Sequence, residues 1–157
     1  MPYTFFTIED AIGEGWWGKI SLFEPRRFQG RCLYFDLDTV IVGSLDDIAG
    51  YRGDFAGISD FYHPEHLQSA IMAWEADKYF WLYERWEAAG HPQFHPMGDQ
   101  GWIEQMVPNG ERLQTFFPNQ IVSFKAHCLG GVPGDARVVC FHGVPRPHVV
   151  SDLMSNW

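Results

Sequence analysis

The chain has 157 residues, 46% of them hydrophobic and 17% aromatic, and carries a net charge of −9. That length suits one domain with one core. The acidic balance argues against a nucleic-acid backbone as partner, and there is no basic run for a membrane surface.

Seven Trp point to a core, or a cleft, rich in rings, and ten Pro with sixteen Gly imply many turns. Cys32, Cys128 and Cys140 are an odd set with no C-x-x-C pair, as in the reduced thiols of a cytoplasmic chain. The opening "MPYTFFTIEDAIGEG" has acids and no basic n-region, unlike a signal peptide. No apolar run reaches the length of a membrane span, since acids interrupt the best one.

In chain order, "YTFFTIED" (3–10) reads as a strand ending at its acids. "WWGKISLF" (16–23) spaces Trp16, Ile20 and Phe23 as a helix does, and Pro25 stops it. Residues 31–42 form the most strand-like segment. Shorter strands come next at 53–61 and at 68–76, the second also compatible with a helix. "DKYFWLYERWEAAG" (77–90) reads as a helix with Asp77 as N-cap and Gly90 past its end. "DQGWIEQMV" (99–107) makes a second helix, and 112–118, 120–128 and 136–143 are strand candidates. Helices alternating with apolar strands define an α/β class with a mixed sheet and flanking helices.

The segment 31–42 raises a question of charge, because Asp36 and Asp38 stand one residue apart at its end. On an extended strand, side chains at i and i+2 point the same way, roughly 6.5 Å apart along the axis. Open α/β sheets place ligands at such strand ends. Two like charges this close repel unless something positive lies between them, and a divalent cation such as Mg²⁺ or Mn²⁺ with phosphate oxygens is the usual answer. The alternative is a solvated turn after a buried strand, with Asp38 and Thr39 capping the next segment.

Two enzyme families use this pattern. In haloacid-dehalogenase-type phosphatases Asp-x-Asp comes after a strand, so Asp36 would be the nucleophile, with Ser59, Lys78 and "GDQGWIE" in that family's order. The fit to the second family is better. "LYFDLDTVIVGSLDDI" resembles the D-x-D strand of GT-A glycosyltransferases, nearest the retaining family of glycogenin and the lipopolysaccharide galactosyltransferases. "WWGKISLF" is similar to that family's Lys-bearing helix, "LQSAIMAWEA" to its "FNAGVMLIN" strand, "GDQGWIEQM" to its Asp-Gln helix and "VVCFHGVPRPH" to its closing "VHFxGxxKPW". The ordered set covers roughly residues 16 to 148.

The resemblance implies one GT-A-like domain over 1–157, acting on a nucleotide-diphosphate sugar and an acceptor of unknown identity. It implies Asp36 and Asp38 at the donor and the metal, with His142 as a further ligand; an imidazole suits Mn²⁺ better than Mg²⁺. Gly143 would let the chain approach the diphosphate, and Arg146, where the family has Lys, would hold the β-phosphate. Lys19 resembles the donor-binding Lys. Asp99, otherwise an ordinary N-cap, and Gln100 resemble the pair near the sugar and the acceptor. Gln68 replaces the family's Asn and Ala70 its Gly, a departure at the donor sugar. The family's first βα unit, which holds the base, has no counterpart, so the domain is expected to be partial at its N-terminus. Phe5, Phe6, Trp16 and Trp17 would then line an uncovered surface that self-associates or meets a partner chain. A remnant that binds only metal or protein is the third reading.

Overall fold

The computed structural model describes residues 4–93 and 95–150. Its architecture is α/β, with two mixed sheets and flanking helices. Strands β1 (Arg31–Phe35), β3 (Phe55–Ser59), β4 (Leu67–Glu75) and β5 (Glu111–Arg112) form one sheet in the order β1-β4-β3-β5. Strands β2 (Thr39–Ile41), β6 (Ile121–Ser123) and β7 (Val138–Cys140) form the other, in the order β2-β7-β6. The pairs β3–β5 and β6–β7 are parallel and the rest antiparallel. Helices α1 (Asp46–Ala49), α2 (Ala76–Tyr79), α3 (Trp81–Ala88), α4 (Gly98–Met106), α5 (Leu113–Phe116) and α6 (Phe124–His127) connect them. Among the described residues no helix is long and apolar enough to cross a membrane.

Alternation on β4 builds the layers. Met72 and Trp74 pack with Trp17, Ile20 and Phe23 of an opening 3-10 helix (Gly15–Phe23) and with Leu82 and Trp86 of α3. Ile71 and Ala73 face the other way, against Ile48, Ile121 and Val138 beneath the second sheet. Rings dominate the first layer, as the Trp content implied. The buried Trp86 ring places its Nε1–H on the Pro92 carbonyl at 3.0 Å, so its one polar atom is satisfied.

Several elements depart from the sequence reading. Residues 4–10 form no strand, and Tyr3 lies outside the described residues. The end of this segment and the residues just after it are held by side chains instead: Arg27 pairs with Asp10, and the Ser21 hydroxyl accepts the Ile12 N–H at 2.7 Å. The 16–23 helix is a 3-10 helix. The 77–90 helix is two, α2 and α3, which meet at Phe80. Asp77 lies in the first turn of α2 and is not its cap. Gly90 does end α3: with φ +76° it closes a Schellman turn, His91 N–H to Trp86 O at 3.0 Å and Gly90 N–H to Glu87 O at 2.9 Å.

The strand candidates at 112–118 and 120–128 each bend into a short helix after their strand residues. In the first, the Gln114 amide accepts the Ser59 N–H and donates to the Ser59 carbonyl, replacing the ladder that an extended segment would supply. In the second, the Ser123 hydroxyl accepts the Ala126 N–H at 3.3 Å and so starts α6.

Candidate functional site

The two acids of "FDLD" sit where the chain passes from one sheet to the other. Asp36 N–H donates to the Ala70 carbonyl at 2.8 Å, the last bond of the β1 ladder. The Thr39 N–H and hydroxyl then both reach the Asp36 carbonyl, at 3.0 and 2.7 Å, and close a turn. Leu37 at its tip is 96% exposed. Residues 31–42 are therefore two strands in two sheets, and the extended geometry expected for Asp36 and Asp38 is replaced by a turn. The turn is needed because β1 pairs only with β4, whereas β2 must reach β7.

The positive partner of Asp36 comes from the protein itself. The Lys19 ammonium lies 3.0 Å from Asp36 Oδ1, 3.2 Å from Asp99 Oδ2 and 3.0 Å from Ser69 Oγ. The Ser69 hydroxyl donates to Asp99 at 2.7 Å and the Tyr34 hydroxyl to Asp36 at 2.7 Å. Lys19 and Asp99 are nearly sealed from water, and a buried charge persists only when paired. The three ammonium hydrogens match the three acceptors. Burial, and then the Asp36 charge, push the Tyr34 phenol far above its ordinary range, so it stays a donor. Asp99 is a buried member of the first turn of α4, with Met97 at the cap position. Gln100, half-buried on the same helix, lies outside this network.

Asp38 pairs with Arg146 across the turn. Burial, and then the Asp36 charge, raise its carboxyl above the usual value, against the pull of Arg146 and Lys19. The Phe141 N–H donates to the Asp38 carbonyl at 2.9 Å, which brings the end of β7 beside the turn. His142, the next residue, has Nε2 at 2.7 Å from the Ser123 hydroxyl, stacks on Phe61 and meets the Tyr62 ring edge-on. Burial, and then the Lys125 charge, lower its pKa, so the imidazole is neutral at pH 7. Gly143 has φ +74°, and a Cβ built on it would stand 3.4 Å from the Lys125 ammonium.

Lys19, Asp36, Asp38, Asp99 and Arg146 thus belong to one region, with His142 and Gly143 at its side. The three residues expected to hold a metal are not a preformed ligand set: among the described residues no three His, Cys, Asp or Glu side chains are grouped to hold an ion. Arg146 engages Asp38, and Ser123 engages His142. Ser69, Tyr34, Ser123 and Lys125 were not anticipated. Tyr34 had a signal, since it precedes Asp36 by one strand repeat, and Ser69 had another, as a hydroxyl in an apolar strand. Beside Ser69, the buried Gln68 Oε1 has no hydrogen-bond partner among the described residues. Lys78, by contrast, pairs with Asp54 at the end of the sheet opposite Asp36. No family model matches the chain, and no curated protein matches it.

Proposed function

We propose that the chain is a GT-A-type glycosyltransferase that takes a sugar from a nucleotide-diphosphate donor. One observation carries the reading. Lys19, Asp36 and Asp99, nominated separately from three distant stretches by motif order, share one ammonium-centred network, with the Asp38–Arg146 pair beside it.

Two carboxylates and a neutral imidazole fit Mn²⁺ (or Mg²⁺) in the kind of donor they offer. Asp36, Asp38 and His142 would hold the ion, which supplies charge neutralisation at a diphosphate. The chain's own residues do the rest. Arg146, half-exposed on Asp38, can trade that carboxylate for phosphate oxygens and stabilise the charge that grows as the sugar–phosphate bond breaks. Lys19 and Asp99 hold Asp36 in one orientation, which makes them positioning residues. Gln68, at the position where the resembled family has Asn, has a buried amide oxygen with no hydrogen-bond partner among the described residues. The phosphatase reading has less support, since Lys78 is engaged elsewhere.

The test is a panel of nucleotide-sugars with Mn²⁺, monitoring release of nucleoside diphosphate, beside an aryl phosphate. Turnover of the former alone is the expected result. A phosphoryl group trapped on Asp36 would reverse the order. With no turnover of either, and no thermal shift from nucleoside diphosphate plus Mn²⁺, the binding-remnant reading takes its place.

A further inference from the structure

Lys19 and Arg146 each face a carboxylate, but Lys125 does not: among the described residues no Asp or Glu oxygen lies within ion-pair distance of it, and its side chain donates no hydrogen bond. It stands two residues past Ser123, whose contact with His142 fixes the end of β7. Its ammonium lies over Gly143, 3.4 Å from where a Cβ would be. At φ +74° only a glycine is comfortable there, so the backbone beneath the ammonium is bare. Arg146 comes three residues later, and the rings of Phe61 and Tyr62 pack on His142. The result is a half-buried cation over side-chain-free backbone, three residues before a half-exposed guanidinium that can exchange its partner, Asp38. Such a place attracts an anion with several oxygens.

We infer that Lys125, with Gly143 and Arg146, receives the diphosphate group of the substrate, and that Lys125 is a binding residue outside the motif that nominates the other two. The inference rests on the glycosyltransferase reading and adds a residue to it. Two sources of the anion are distinguishable: free pyrophosphate, and the diphosphate of a nucleotide. Lys125 would contact either.

The experiment is calorimetry of the full chain with inorganic pyrophosphate and with uridine, guanosine, adenosine and cytidine diphosphates, for wild type, Lys125→Ala, Lys125→Gln and Lys125→Arg. Loss of one charge-assisted contact weakens both kinds of ligand on the order of tenfold in the Ala and Gln variants. Lys125→Arg retains binding. The Ala and Gln variants unfold at the wild-type temperature, since Lys125 makes no side-chain hydrogen bond among the described residues. Wild-type affinity in Lys125→Gln would overturn the inference and leave the glycosyltransferase reading standing. A wild type that binds none of these ligands would remove both.

Discussion

The Lys19 ammonium sits 3.2 Å from Asp99 Oδ2, with both side chains more than nine-tenths buried. Removing one partner of a buried pair leaves an uncompensated charge, at a cost of about 3–5 kcal/mol. Lys19→Met should lower stability to denaturant by that order. Adding Asp99→Asn should recover part of the loss, because one orphaned carboxylate is gone. A double variant no better than the single one would mean that Asp36, and not Asp99, carries the pairing.

The Asp38–Arg146 pair competes with any cation for the same carboxylate. Mn²⁺ binding measured by calorimetry should vanish in Asp38→Ala and strengthen in Arg146→Ala. Equal Mn²⁺ affinity in wild type, Asp38→Ala and His142→Ala would dispose of the metal assignment.

Gly57 faces residues 69–72 where the β3–β4 register shifts, and a Cβ there would stand 2.8 Å from Leu67 Cγ and 3.0 Å from the Gln68 carbonyl oxygen. Gly57→Ala forces that contact apart and should cost roughly 1–3 kcal/mol. Because the displaced strand carries Ser69, nucleoside diphosphate binding should weaken as well. Thermal melts and calorimetry on one preparation check both.

The Cys32 thiol is pushed up to about 11, by burial first and then by the Glu75 charge. The folded state therefore favours the thiol, and this contribution to stability is complete below the ordinary value of 9.0 and is lost as pH rises towards about 11. Alkylation at Cys32 should accelerate about tenfold per pH unit from 7 to 10 without a plateau. A rate that levels off above pH 9 would show an unperturbed thiol.

Phe5 and Trp16 are 82% and 70% exposed, but Trp17 is buried in the core and leaves the aromatic surface expected for it. Exposed rings of this size favour association. Sedimentation should show concentration-dependent self-association, diminished by Phe5→Ser with Trp16→Ser. A monomer at every concentration would end that expectation.

Local pattern carried much of the architecture. The strand at 68–76, the Gly90 stop and the "GDQGWIEQM" helix were readable because each depends on neighbours a few residues away. The nominated residues were legible as motifs, and what they touch was not. The turn at 36–38 arises because β1 and β2 pair in different sheets, and strand pairing is a long-range choice that an apolar run does not encode. The charge of Asp36 demanded a positive partner in the sequence; only tertiary packing decided that this partner is Lys19, brought across by the 3-10 helix that packs on α3 and α4. Ser123 and Lys125 were silent for the same reason. A hydroxyl or an ammonium acquires a role from what the fold sets within about 3 Å of it, and composition and spacing do not contain that distance.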